Sequence, residues 1–375
     1  MPAVNLGSIG ERPPTGLYWD PDALNGEGAN IITHSMLKTF RRCPKQAEFK
    51  YVHRLKPKRL GSPLKRGTWV HSLLEVDGKG GDWQEEHARY SHEFSSLFDE
   101  EKEYYGDMPT EIGQVFKSYK WHYKNDPWEY VANEITLEAK LPDGSLYRGK
   151  VDAIIRDQFG KLWLVDHKTH KTLPKMGYRL LDAQSALYIW AARENGYEVE
   201  GFIWNYIRWK APSVPKVVDL KKPVARLSDA ACDTDFPTAY KAIKKYQREI
   251  PNFQLRPKDK IWLKRLQEQR FEVGKPQTSE FFRRDILEKS DDMIERVLQG
   301  NFTTALRMNT YDFDNPDQVE RVVDRGCEYS CSYLDICAAE LMGANMKPLL
   351  KQNYTTGDPN AYYQDRAGDF EKEER

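Results

Sequence analysis

Lys150-Val-Asp152-Ala-Ile-Ile155, a turn at Asp157-Gln-Phe-Gly160, then Leu162-Trp-Leu-Val-Asp166-His-Lys168 is the stretch that decides the fold. Upstream, Glu134 to Leu141 alternates Ile135, Leu137, Ala139 and Leu141 with Glu134, Thr136, Glu138 and Lys140, a period of two. Pro142-Asp143-Gly144 turns the chain. A second strand, from about Leu146 to Ile155, carries Asp152. In the third strand Leu162, Leu164, Asp166 and Lys168 share a face, because strand side chains repeat every second residue. An apolar strip that ends in a carboxylate and an ammonium needs a chemical reason. Two carboxylates can hold a hard divalent cation through oxygen. Such a cation polarises a phosphate and acidifies a bound water, and a lysine beside it can stabilise charge building on phosphate oxygens.

Two helices belong with this hairpin. Arg66-Gly-Thr-Trp-Val-His71-Ser-Leu-Leu-Glu75 is expected to open at Thr68, a favoured N-cap residue, with His71 and Glu75 on one face and Trp69, Leu73 and Val76 on another. Asp182 is expected to cap a second helix, on which Gln184 and Tyr188 are i, i+4 neighbours backed by Leu187, Trp190 and Ala191. The glycine-rich Gly144-Ser-Leu-Tyr-Arg-Gly149-Lys150 has P-loop spacing. Val151 replaces the required hydroxyl, and a strand follows in place of a helix, so no nucleotide site is expected.

In the order His, Asp, Asp-x-Lys, Gln-x-x-x-Tyr, these residues resemble the RecB-like branch of the PD-(D/E)XK nuclease superfamily, including AddB-like and CRISPR-associated exonucleases that carry an iron–sulfur cluster. The resemblance runs from about Ile31 to Cys337 and implies an α/β fold, a core sheet flanked by helices. It implies His71, Asp152 and Asp166 as metal ligands, joined by the main-chain carbonyl of His167, with Asp152, Asp166 and Lys168 catalytic. Gln184 and Tyr188 are implied as DNA contacts near the scissile phosphate. Asp166 stands where many relatives have Glu.

Five cysteines, Cys43, Cys232, Cys327, Cys331 and Cys337, took no part in that reading. An odd count without paired spacing argues against a disulfide framework. Cys43 ends Phe40-Arg-Arg-Cys, and the last three form a Cys-x3-Cys-x5-Cys triplet. Four thiolates can hold zinc or an iron–sulfur cluster. A lone cysteine before the nuclease motifs and a triplet after them is the layout of the cluster-bearing relatives. The resemblance therefore favours a [4Fe–4S] cluster on Cys43, Cys327, Cys331 and Cys337, stapling the N-terminal helix to the C-terminal region. Cys232 is left as structural.

The 57 basic and 57 acidic side chains balance, so any DNA affinity must come from distribution. Between Glu48 and Glu75 the charges are Lys50, Arg54, Lys56, Lys58, Arg59, Lys65 and Arg66 without an acid, a block suited to tracking phosphates. No apolar run reaches the roughly 18 residues of a membrane span, and a signal-peptide profile is missing from the start, so a cytoplasmic setting is expected, that of a phage-infected cell included. The expected organisation is an extended arm over 1–30, a nuclease domain over 31–343 with helical insertions at about 82–125 (two helices) and 228–300 (three helices), and a flexible tail over 344–375. Val199 to Trp209 is expected to be a strand, its Phe202, Trp204 and Tyr206 packed in the core or stacking on bases.

The expected activity is a Mg²⁺- or Mn²⁺-dependent, sequence-independent exonuclease degrading single-stranded DNA from an end in recombination, repair or replication. The alternatives are a CRISPR-associated nuclease trimming DNA for integration, and a catalytically silent DNA-binding scaffold.

Overall fold

The computed structural model describes residues 31–175, 178–230 and 232–357; the expected N-terminal arm and most of the expected tail lie outside this range. The chain begins with β1 (Ile31–Ile32), α1 (His34–Arg42), α2 (Pro44–Ala47), a π-helical turn (Glu48–Val52) and β2 (Leu55–Pro57). Four helices follow: α3 (Ser62–Gly78), α4 (Trp83–Ser95), α5 (Asp99–Tyr105) and α6 (Met108–His122). The antiparallel run β3 (Glu129–Lys140), β4 (Leu146–Arg156) and β5 (Leu162–His170) leads through α7 (Ala183–Glu194) to β6 (Val199–Arg208). A small hairpin, β7 (Val217–Val218) and β8 (Arg226–Leu227), precedes α8 (Phe236–Glu249) and α9 (Pro257–Glu268). The chain then returns through β9 (Phe282–Glu288), α10 (Asp291–Asn309), α11 (Arg325–Ser330), α12 (Leu334–Leu341), α13 (Lys347–Asn353) and β10 (Tyr354–Thr356).

The main sheet has six strands in the order β1-β4-β5-β6-β9, with β3 on the far edge of β4. The β1/β4 and β5/β6 pairs are parallel and the others antiparallel. One edge of β4 is shared. It pairs β1 only at Leu146 and Tyr147 and β5 only from Ala153 to Arg156. Between these two ladders β4 has no partner on that edge, and Asp152 lies in the opening.

Helices cover both faces because both faces are apolar. Leu164, Phe202, Trp204 and Tyr206 join α1, α7 and α10 in the largest core. Trp163, Val165 and Ile203 form a smaller cluster with Trp128 and Tyr130, while α3 to α6 close over Ile207 and Phe282. Trp204 and Tyr206 are fully buried, so these aromatics pack the core and are not base platforms.

Several expectations need correction. The α3 helix starts at Ser62, not Thr68. Pro63 in its first turn has no amide hydrogen to lose there and is preset for the helix. Residues 82–125 hold three helices, because Gly106 at φ 69° and the Asp107 cap end one and start the next. Residues 228–300 hold two helices, a strand and the start of a third helix. The β9 strand was hidden by buried Arg284 and Asp285, whose charge masks its alternation. Part of the expected tail is ordered: β10 pairs antiparallel with β2, and Tyr354 is buried.

Candidate active site

The opening in the sheet positions the first carboxylate. Past Val165 the β5 strand leaves β4, and its amides would be orphaned. Asp152 Oδ2 accepts the His167 main-chain N–H at 2.6 Å, standing in for the missing ladder bond. Strand alternation breaks at the same point. Val151 and Ile154, three apart, both enter the main core, while Ala153 enters the opposite cluster. Asp152, Asp166 and His167 are buried.

Helix α3 lies against β5 and carries His71, whose Nδ1 is 3.4 Å from Asp152 Oδ1. Burial alone would lower the pKa of His71, but the Asp152 carboxylate more than offsets this and raises it. Burial would raise Asp152, yet His71, the His167 imidazole and Lys168 hold it well below the usual carboxylate range. Asp166 behaves oppositely: burial pushes it up to about 6, with Asp152 adding to the rise against the pull of Lys168. The Lys168 ammonium contacts Asp166 Oδ1, as their shared strand face requires, and lies over the Trp204 ring at 5.2 Å.

Helix α7 supplies the next support. Asp182 caps it by accepting the Gln184 N–H at 2.9 Å, and Gln184 Nε2 donates to Asp166 Oδ2 at 2.7 Å. Tyr188 is not at the surface. It is 5% exposed, and a Cβ on Gly149 would come within 2.7 Å of its ring, so it buttresses β4 three residues before Asp152. The His167 side chain points to the other face, where its Nδ1 meets Asn205 Nδ2 at 2.8 Å; that same amide reaches Tyr119 Oη at 2.9 Å. Burial lowers the His167 imidazole to about 3.

Sequence reasoning missed Glu134. Single ligand atoms of His71, Glu134 and Asp152 lie within 4.8 Å of one another, and Asp166 is outside this group. Glu134 sits opposite Asp152 in the β3/β4 register with φ at 53°, is buried, and pairs with Lys150 at 2.9 Å. A non-glycine residue in that region costs about 1–2 kcal/mol, and such strain marks functional sites.

The donor set fits a divalent cation. It consists of imidazole and carboxylate groups, and the raised Asp166 reports buried negative charge that Lys168 does not fully compensate. The basic block is only partly free. Arg66 is buried, 2.5 Å from Glu111 Oε2, and Lys58 Nζ donates to Lys351 O at 2.6 Å.

Cys43, Cys327, Cys331 and Cys337 line one pocket with Arg42 and Arg321. Burial raises the Cys331 and Cys337 thiols, and the neighbouring thiols add to the rise. Among the described residues, the group whose ligand atoms lie within 4.8 Å of one another contains no cysteine. Cys232 lines a separate pocket with Asp233 and Arg256.

The fold is a mixed sheet flanked by helices, with Asp152 placed where β4 and β5 part and Asp166 and Lys168 in contact on β5. The chain belongs to the PD-(D/E)XK nuclease superfamily, whose family model matches residues 31–338. Among solved structures, the chain is similar to a Eubacterium rectale protein described as a "Putative exonuclease", at 12% identity over 80% of this chain and 88% of that one, with a TM-score of 0.39. It is also similar to SSO0001, at 13% identity over 84% and 89% of the two chains, with a TM-score of 0.29. No curated protein matches it. Among the described residues, no helix is long and apolar enough to cross a membrane.

Proposed function

We propose that this protein is a Mg²⁺- or Mn²⁺-dependent deoxyribonuclease of the RecB-like branch, degrading single-stranded DNA from an end with little regard for sequence. The observation that carries the reading is the convergence of Asp152, Asp166 and Lys168 where β4 and β5 part, with Asp152 braced on the His167 amide. His71, Asp152, Asp166 and the His167 carbonyl would hold the cation, and Glu134 adds a donor on the Asp152 side. A divalent cation bound there supplies Lewis acidity and a more acidic water. Lys168 stabilises charge on the phosphate oxygens, and Gln184 keeps Asp166 in place. Imidazole among the ligands tilts the preference towards Mn²⁺.

The four-cysteine pocket is proposed to hold a [4Fe–4S] cluster with a structural role. It ties α1 to α11 and α12, and thiolate sites of this kind contribute on the order of 10 kcal/mol to folding.

A parallel digest of labelled linear single strands, linear duplex and closed circular single strands, with Mg²⁺ or Mn²⁺, tests the activity. The linear single strand is expected to disappear fastest and the circle to persist. Equal rates on circle and linear strand refute end dependence, and cleavage of none of the three refutes the nuclease reading.

A further inference from the structure

Away from the centre, three aromatic rings form a continuous stack across two helices. Trp121 on α6 stacks on Phe236 of α8 with centroids 5.2 Å apart and planes at 24°. Phe236 stacks on Tyr240 at 5.4 Å and 22°. The stack ends at the surface, where Tyr240 is 44% exposed. Core aromatics satisfy themselves by burial; this one does not. On α8 the buried side is Ala239, Ala242 and Ile243, while Phe236, Tyr240, Lys244 and Arg248 recur every fourth residue along another ridge.

Beside the stack, α8 carries Asp235 at its cap and Glu249, paired with Lys245, at its end, but its other exposed charges are basic. Lys124, Lys241, Lys244 and Arg248 are exposed, and none of them makes an ion pair among the described residues. Lys244 Nζ lies 5.4 Å from the Tyr240 centroid, and Arg270 covers Trp121 at 5.5 Å. A half-buried aromatic stack that ends in an exposed tyrosine, flanked by cations that make no ion pair among the described residues, matches a chain of phosphates carrying free flat bases. Bases in a duplex are already stacked on each other and offer no free face, and an acidic peptide would give the rings nothing to stack on. The helix that carries Trp121 also packs beneath the candidate site: two residues earlier the buried Tyr119 hydroxyl accepts from the Asn205 amide that contacts His167.

We propose that the α6/α8 aromatic ladder is a docking surface for single-stranded nucleic acid outside the cleavage site. The proposal rests on the nuclease reading above and adds where the strand is held beyond the scissile bond. Binding is measured by fluorescence anisotropy of a labelled oligothymidylate of ~20 nucleotides in EDTA, where cleavage cannot confuse the signal. Tyr240→Ala is expected to weaken binding about tenfold, and Tyr240→Phe, which keeps the ring, to bind as wild type. Lys244→Glu with Arg248→Glu should lower the slope of log affinity against log salt by about one to two. With Mg²⁺ or Mn²⁺ present, these variants raise KM for a long single strand and leave kcat unchanged. Tyr240 is exposed, so thermal melting of the variants should match wild type. Unchanged binding by Tyr240→Ala, with wild type binding and cleaving normally, overturns the ladder and leaves the nuclease reading standing. So does polyglutamate competing as well as oligothymidylate, which would mark the surface for an acidic protein. A wild type that neither binds nor cleaves single strands overturns both.

Discussion

The Asp152 carboxylate accepts the main-chain N–H of His167 at 2.6 Å, so an acid on one strand completes the hydrogen bonding of the next where the two have parted. One side chain thereby braces the backbone and belongs to the candidate ligand group with His71 and Glu134. Its carboxylate spans both tasks: Oδ2 takes the amide and Oδ1 faces His71.

Asp152→Asn, Asp166→Asn and Lys168→Ala should each lower cleavage by about 10²-fold or more, as expected for ligands and charge-stabilising groups. Asp152→Asn can still offer an oxygen to His167 but loses the attraction of a carboxylate for His71 and Lys168, so the variant should fold with a lowered melting temperature. Asp166→Asn should stabilise the metal-free protein at neutral pH, since it removes a buried carboxylate that burial pushes up to about 6. Calorimetry in EDTA beside a cleavage assay separates these effects. Full cleavage by Lys168→Ala would place the site elsewhere.

Glu134 is expected to contribute to cation binding. Glu134→Gln should shrink the rise in melting temperature caused by Mn²⁺ while leaving a folded protein. Glu134→Ala should destabilise the protein, because it removes the carboxylate that pairs with Lys150 at 2.9 Å. An unchanged Mn²⁺ response in Glu134→Gln rules out ligation by this residue.

Gly149→Ala should destabilise the protein by about 1–3 kcal/mol through overpacking against Tyr188. Because β4 carries Asp152 three residues later, cleavage should fall too. Adding Tyr188→Leu, which opens space, should restore part of both. Failure of the second change to rescue would mean that the ring is not what Gly149 accommodates.

Acid sensitivity of the metal-free fold should begin near neutrality. Burial holds His122 and His167 at about 3 in the folded chain, well below their ordinary 6.5. Below that ordinary value the unfolded state takes up two protons that the folded state refuses, so stability falls as pH drops. Asp166 works the other way, because its folded value of about 6 exceeds its ordinary 3.8 and the folded state holds the extra proton in between. His34, lowered by burial to about 4, adds a third such proton, so from pH 6 to about 4 the balance of these groups is about two protons favouring the unfolded state, a loss of about 2.7 kcal/mol per pH unit. Urea melts in EDTA at pH 7, 6 and 5 read this slope. A flat profile would contradict the buried neutral histidines.

Anaerobically purified protein should be brown and contain about four irons per chain. Cys43→Ser should lose iron and thermal stability together. Stoichiometric zinc without iron would exclude the cluster.

The catalytic hairpin was legible because a strand's period of two forces Asp166 and Lys168 onto one face, whatever surrounds them. Gln184 was legible as a neighbour of the site through the Asp182 cap, but its partner Asp166 was not, since helix-to-strand distances are not written in spacing. Glu134 was invisible. In the sequence it is one of four polar residues alternating outward along β3, and only a backbone at φ 53° turns it inward. The α3 start was misplaced because Thr68 looked like a cap, whereas Pro63 was the stronger signal. The β9 strand failed for a deeper reason: hydrophobic patterning cannot register a strand whose buried residues include an arginine bound to Asp126.

The pairing of β10 with β2 has a bearing on how the molecule is made. Tyr354 settles opposite Pro57, and Lys45, in the second helix, is buried against Glu340. A ribosome delivers the whole Asp152–Lys168 hairpin long before either late partner exists. During synthesis the first helices therefore wait, with Lys45 and the Cys43 thiol uncovered, until nearly the last described residue has emerged. A chain released early would carry every catalytic side chain and still leave its opening segment unclosed, exposed to proteases and to chaperones.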